Sequence, residues 1–346
     1  MKLKNVKLQH KLLTIAITAA MAISLTACGK TAGTSSTQAS NAASNSKILK
    51  IGVIQIAPHS SLDNCYKGLV EGLKAAGYEV GKNISIDYQN AQGEPANCDL
   101  IAKNMVASKY DMIVGIATPS AMSAYSAAKD TNIPIVFSAV SDPVAAGIVK
   151  SLEKPEYNVT GTSDVLPLES QMKMIRAYLP NAKKIGILYT TSEPNSVTHL
   201  AKFKALAAGN HFEIVSIGVT NASEVGTAAA SLVAKGVDCI NNFTDNNVVN
   251  NLTTVLNAAN NAKIPVFGSE VEQVKKGCLA SEGIDYVSLG RETGKIAAKI
   301  LKGEAKASEI PVALISASEP VYNQGVLKTL GITMPDAYKT SANVGE

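Results

Sequence analysis

The sequence predicts an α/β protein built from two doubly wound, parallel-sheet (Rossmann-like) lobes that share a hinge and face each other across a cleft. Two observations carry this. Continuous Val/Ile-rich runs alternate with segments of helical spacing, the pattern of strands buried on both faces beneath covering helices. The scheme also occurs twice. "DMIVGIATPSAM" followed by "NIPIVFSAV", from Asp111, resembles "DCINNFTDNNVV" followed by "KIPVFGSE", from Asp238. The copy aligns Thr118 with Thr244 and Ile133-Pro134 with Ile264-Pro265, with a longer helix between them the second time. Two such units in tandem make a two-lobed molecule.

The elements follow in order. Met1 to Lys11 carry Lys2, Lys4, Lys7 and Lys11 and no acid; Leu12 to Leu25 then run apolar. That run is shorter than the roughly 20 residues a membrane span needs, and reads as a secretory signal over 1–27. "LTAC", Leu25 to Cys28, resembles a bacterial lipobox, so Cys28 is expected to carry the lipid and become the first mature residue. Residues 28–46 lack any large apolar side chain and are expected to form a lipidated tether. Strands are expected at 47–56, 83–89, 111–117 and 133–140, with helices over 62–77 and 99–109 and a third reaching Lys129. "KKIGILYT" (183–190) restarts the scheme, and "NVTGTSD" (158–164) reads as a crossing between lobes. The strand-like "VALISA" (312–317) is expected to cross back. The first lobe is thus expected over 47–160 plus about 312–335, and the second over 161–311.

Composition narrows the function. The chain of 346 residues has 32 basic and 28 acidic side chains, and loss of the four leader lysines leaves the two signs equal. Arg176 and Arg291 are the only arginines. Nucleic acid is therefore not an implied partner. Cys65, Cys98, Cys239 and Cys278 form no C-x-x-C pair, which leaves room for one disulfide but gives no metal site. No serine, histidine and acid stand in a recognisable catalytic order, and "GRETGK" (290–295) has the wrong spacing for a phosphate loop. Neither a cofactor nor a reaction is indicated.

In open parallel sheets ligands bind beyond the carboxyl ends of strands. Those ends carry Thr118-Pro119-Ser120, Ser141-Asp142-Pro143, Ser192-Glu193-Pro194-Asn195-Ser196 and Thr244-Asp245-Asn246. Taken singly these residues are ordinary helix caps, several with proline in the first turn. Taken together they lie on the edge that faces the cleft. Thr118 and Ser120 offer hydroxyls at a helix start and suit a carboxylate, whereas Asp245, Glu193 and Glu270 on the other lobe suit an ammonium. An anion seat opposite a cation seat describes a zwitterionic amino acid. Gln55 and His59, at the end of the first strand and in the loop after it, are further cleft candidates. Tyr66, Phe137, Tyr189 and Phe243 are candidate apolar walls, although Tyr189 and Phe243 also fit a core.

"NAQGEPAN" (90–97), "ATPSA" (117–121), "FSAVSDPV" (137–144), "NVTGTSD" (158–164), "SEPNS" (192–196) and "IDYVSLG" (284–290) resemble an ABC-transporter substrate-binding family of type I periplasmic-binding-protein architecture. That family includes binders of tryptophan and other aromatic amino acids. The resemblance spans residues 48–335. It implies three hinge crossings, a bound small molecule, probing of the cleft by Thr118, Pro119, Ser120, Ser138, Asp142, Asp164, Ser192, Glu193, Asn195 and Ser196, and a permease with its ATPase as partners. The expectation is a monomeric, lipid-anchored receptor on the outer face of the membrane that delivers an amino acid, aromatic in the first instance. A branched-chain amino acid, a nucleoside or a sugar is the alternative ligand, and signalling to a sensor the alternative role.

Overall fold

The computed structural model describes residues 47–315 and 319–345. The expected signal peptide, Cys28 and the tether lie outside those residues. Among the described residues, thirteen strands and eleven α-helices follow one another. The strands are β1 (Leu49–Gln55), β2 (Ile84–Asn90), β3 (Met112–Ile116), β4 (Ile135–Ser138), β5 (Val159–Ser163), β6 (Lys184–Thr190), β7 (Glu213–Val219), β8 (Cys239–Asn241), β9 (Val266–Phe267), β10 (Ala280–Gly283), β11 (Ala313–Leu314), β12 (Glu319–Tyr322) and β13 (Ala342–Asn343). The helices are α1 (Ser60–Ala75), α2 (Pro95–Ala107), α3 (Thr118–Ala128), α4 (Leu168–Tyr178), α5 (Pro194–Ala207), α6 (Val225–Ala234), α7 (Asn246–Asn250), α8 (Leu252–Asn261), α9 (Val271–Lys275), α10 (Tyr286–Leu301) and α11 (Gln324–Leu330).

The first lobe is a six-stranded sheet in the order β11-β5-β4-β3-β1-β2, parallel throughout. The second contains the parallel sheet β7-β6-β8-β9. A bridge between Gly268 and Ser281 leads from the end of β9 to a three-stranded extension, β10-β12-β13. Strands β3 and β4 are buried along their whole length, as their unbroken apolar runs require.

The tandem repeat has a physical basis. Asp111 and Asp238 each stand just before the strand that pairs with their lobe's first strand. The Asp111 carboxylate accepts the Lys50 backbone N–H at 2.8 Å, while the Asp111 N–H donates to the Lys50 carbonyl at 2.9 Å. Asp238 accepts the N–H groups of Lys183 and Lys184 at 2.7 and 2.8 Å, and its own N–H donates to the Lys184 carbonyl at 2.9 Å. Each aspartate pins the start of a central strand by the same double contact. In the second copy the helix is broken into α7 and α8 at Asn251, which accounts for its greater length.

The lobes are less contiguous in sequence than expected. The chain passes from β5 to the second lobe through residues 164–167, and returns after β10 into α10. Helix α10 packs along α1 and over β4 and β5, so Tyr286–Leu301 belongs with the first lobe rather than the second. β11 extends the first sheet, but β12 pairs antiparallel with β10 and β13 pairs with β12. The stretch 319–335 therefore packs with the second lobe.

The α1–α10 contact is made backbone to backbone. Gly68 and Gly72 of α1 meet Gly290 and Gly294 of α10, and a Cβ on Gly68 would overlap the Val287 carbonyl while one on Gly290 would overlap that of Cys65. Both helices begin at the cleft, so this contact fixes His59, Ser61 and Leu62 relative to Tyr286. Gly68→Ala should lower stability by about 3 kcal/mol or more, because two backbones must separate. Gly209→Ala, where an added Cβ meets nothing within 4 Å, should be close to neutral. Chemical denaturation of the two variants checks the contrast.

Candidate functional site

The strand ends converge on a cavity between the two lobes. The first lobe lines it with His59, Ser61 and Leu62 at the start of α1, Ala117 and Thr118 between β3 and α3, and Ala139 and Ser141 after β4. Asp164 enters from the first crossing and Tyr286 from the second. The second lobe contributes Asn195 of α5, Thr244, Asn246 and Val249 around α7, and Glu270 and Gln273 at α9.

The backbone is strained where it meets this cavity. Ala117 has φ 73° and Ala139 φ 57°, so adjacent strands β3 and β4 both end on an alanine in a conformation suited to glycine. Such a conformation costs an L-residue about 1–2 kcal/mol. The sheet enforces it, through the Ala117 N–H on the Ser138 carbonyl at 2.9 Å and the Val140 N–H on that of Thr162 at 3.4 Å. Strain of this kind collects where a backbone must be aimed at a ligand. It directs the start of α3, with its unpaired first-turn N–H groups and the Thr118 hydroxyl, at the cavity.

Carboxylates dominate the electrostatics, and they divide by how their oxygens are used. Asp164 is buried and accepts the Ser141 hydroxyl at 3.0 Å and the Tyr286 hydroxyl at 2.7 Å. Burial raises its carboxyl to about 6 against the pull of those two hydroxyls. Glu270 accepts the N–H groups of Glu272 at 2.6 Å and Gln273 at 3.0 Å, and burial raises it to about 7. Glu193 reaches across to α7 and accepts the N–H groups of Asn246 and Asn247 at 3.1 and 3.3 Å and the Asn246 amide at 2.9 Å. Burial, then the Asp245 charge, raises Glu193 to about 8. Among the described residues no lysine or arginine lines the cavity.

Of the residues expected at the cleft, His59, Thr118, Asp164, Asn195 and Glu270 line this cavity. Pro119, Ser192 and Glu193 line an adjoining groove that also touches Asn246. The others are placed elsewhere, each for a local reason. Ser120 is fully buried with its hydroxyl 3.4 Å from Cys98 Sγ. Ser138 points into the first lobe, 2.9 Å from the Thr293 hydroxyl. Gln55 donates to the Ala57 carbonyl and to Asp63 at 2.9 and 2.8 Å. Asp142 forms a partly exposed ion pair with Lys202 at 2.8 Å across the cleft. Ser196 is buried on α5, and Tyr189 packs half-buried on β6. Asp245 is the decisive correction. Its carboxylate takes the Thr190 N–H, the Thr190 hydroxyl at 2.8 Å and the Val248 N–H at 2.9 Å, and it lies outside the cavity lining. It is a helix cap and a strand tie. Among the wall candidates, Phe137 and Phe243 are core, and Tyr66 stacks on Tyr88 at 4.5 Å. The cysteines at 65, 98, 239 and 278 are buried and free.

The sequence names Ser141 within the strand-end stretch Ser141-Asp142-Pro143 and Tyr286 within "IDYVSLG", but nothing in either stretch marks them as the two partners of Asp164. His199 is buried against Phe243, its ring held neutral by desolvation to about 4.

Residues 50–344 match the model of the ABC transporter substrate binding protein family, and the chain belongs to that family. A tyrosine-binding protein of Clostridioides difficile (strain R20291) is 40% identical over 334 residues, 96% of this chain and 94% of the relative. An ABC domain from Streptococcus pneumonia, solved in complex with L-Trp, is 37% identical with a TM-score of 0.83, covering 87% of this chain and 100% of its own. A substrate-binding protein with adhesive properties from Clostridium difficile, solved in its ligand-free, open form, is 41% identical with a TM-score of 0.65, covering 86% and 98%. The last two are about equally distant in sequence. The better superposition is on the L-Trp complex.

Asp245→Ala should cost about 2 kcal/mol or more, since it removes a cap and strands the buried Thr190 N–H. Thermal unfolding beside Asp142→Ala, which breaks only a partly exposed pair, checks this; equal melting points would return Asp245 to the candidate ligands.

Proposed function

We propose that this chain, a substrate-binding protein of an ABC transporter, captures an aromatic L-amino acid between its lobes and passes it to the permease and ATPase, working as a monomer outside the cytoplasmic membrane. One observation carries the amino-acid reading. Asp164 is a buried carboxylate on the cavity wall whose only side-chain partners are two hydroxyls, from Ser141 and Tyr286. Both hydroxyls leave lone pairs on its oxygens for an ammonium. Thr118 and the start of α3 offer donors for the carboxylate, which needs no arginine when a helix N-terminus faces it. Leu62 and Val249 supply apolar contact for the side chain. The seat for the ammonium thus falls at the first crossing rather than at Asp245. The ligands named for the two similar proteins, tyrosine and L-Trp, support an aromatic side chain.

Removing one partner of a buried ion pair costs about 3–5 kcal/mol, and tenfold in affinity is about 1.4 kcal/mol. Asp164→Asn should therefore weaken L-tyrosine or L-tryptophan binding by at least about a hundredfold in calorimetry, with melting temperature little changed. The deaminated acid should bind the unaltered protein as weakly. Equal affinity for the amino acid and its deaminated analogue would remove the amino-acid reading.

The raised Asp164 carboxyl adds a pH signature. A carboxyl lifted to about 6 gains its proton at a higher pH than an ordinary aspartate, and the protonated form has no charge to offer. Affinity should be full above that value and fall as pH drops through it. Titrations on either side of about pH 6 test this; an affinity unchanged between them would take Asp164 out of the ammonium seat.

Cys28, with the apolar run before it, supports a lipid anchor. Cys28→Ala should leave the protein unprocessed or release it from the detergent phase. Unchanged partitioning of that variant would count against the anchor.

A further inference from the structure

A second set of polar residues, separate in its hydrogen bonds from the group around Asp164, lines the cavity, and the chemistry of each is fixed by its neighbours. His59 Nε2 lies 3.3 Å from Asn246 Oδ1, across the two lobes. The Asn246 amide nitrogen donates to Glu193 Oε2 at 2.9 Å, and that carboxylate also accepts two backbone N–H groups. The oxygen of Asn246 is therefore the atom that faces His59. An amide oxygen only accepts, so the proton of His59 sits on Nε2 and Nδ1 is left as a lone pair. Burial holds the ring neutral, at about 4.

Asn195 is fixed in the same way. Its amide nitrogen lies 3.3 Å from the Thr244 carbonyl and 3.4 Å from Glu193 Oε2, both acceptors, which turns Oδ1 into the free atom. His59 Nδ1 and Asn195 Oδ1 are both buried, both on residues lining the cavity, and neither has a hydrogen-bond partner among the described residues. Thr244 Oγ1 is unpartnered beside them but can donate or accept, so it does not discriminate. The site thus holds two oriented acceptors with nothing to accept, in a network separate from the Asp164–Ser141–Tyr286 group.

We infer that this acceptor pair selects the ligand by its side chain, requiring a hydrogen-bond donor there, and that His59 is the residue that reads it. The inference rests on the amino-acid reading above, in which Asp164 takes the ammonium. A phenol O–H or an indole N–H meets the requirement; a phenyl ring does not, and leaves both acceptors buried and unsatisfied. Sites built to bond a polar group reject the analogue lacking it far more strongly than apolar pockets reject a missing methylene.

Calorimetry on the mature protein with L-tyrosine, L-tryptophan, L-phenylalanine and O-methyl-L-tyrosine tests this without any variant. Tyrosine or tryptophan should bind at least about tenfold tighter than phenylalanine, and O-methylation of tyrosine should cost a similar factor. In His59→Leu the loss of the Asn246 contact weakens every ligand alike, so the ratio to phenylalanine is the readout, and it should collapse towards one. Phenylalanine binding as tightly as both donor-bearing ligands would overturn the inference and leave the amino-acid reading intact. A ratio preserved in His59→Leu would overturn the role of His59. Failure of all four ligands to bind would overturn the amino-acid reading and the inference with it.

Discussion

A carboxylate taken out of water must be compensated by a cation or by several donors, and the cleft of this protein is built around that constraint. Among the described residues, no lysine or arginine lines the cavity beside Asp164 and Glu270. Arg176 spends its guanidinium on the carbonyls of Pro180, Ala182, Asn210 and His211, and Arg291 pairs with Glu71 at the surface. Backbone N–H groups do the work instead for three of the acids. Glu193 and Asp245 serve the start of α7, and Glu270 serves that of α9. Asp164 is the exception, held by hydroxyls alone on its side-chain partners, and it is the one set at a crossing between lobes. In the function proposed above, that carboxylate, left short of positive charge at a crossing between lobes, receives the ligand's ammonium.

The rest of the scaffold holds that arrangement in place. The glycine contact between α1 and α10 lets two helices from opposite ends of the chain start side by side, which sets His59 and Tyr286 on one wall. The strained alanines at the ends of β3 and β4 aim backbone at the same space from the neighbouring side. Lys202 with Asp142, and His59 with Asn246, tie the lobes across the mouth. Each of these is weak or costly alone, and together they define a closed form that a ligand can complete.

Much of the fold was legible in the sequence, because strands buried on both faces write continuous apolar runs and the tandem repeat carries a real structural function at Asp111 and Asp238. The lobe assignment was legible only in part. A reading along the chain cannot see that α10 pairs with α1 through four glycines, or that β12 turns to β10. At the cleft, the strand ends were found but the roles were not. A capping residue has a choice between its own helix and any other donor within reach, and that choice is made by tertiary packing. Glu193 precedes α5 yet serves α7, whereas Asp245 serves its own helix. Ser141 and Asp142 are neighbours, and a single step along the backbone sends one into the cavity and the other to the surface. Tyr286 carried no signal of its own beyond following a capping aspartate at the start of a long helix.

The account stands on Asp164 as the seat of the ligand's ammonium, and a crystal structure of the protein grown with L-tyrosine or L-tryptophan measures this directly. The account predicts the α-amino nitrogen within hydrogen-bond distance of Asp164, with the lobes disposed as they are here. An amino nitrogen resting on Glu193 or Glu270, or a ligand bound with its amine in solvent and Asp164 still held only by Ser141 and Tyr286, would contradict it.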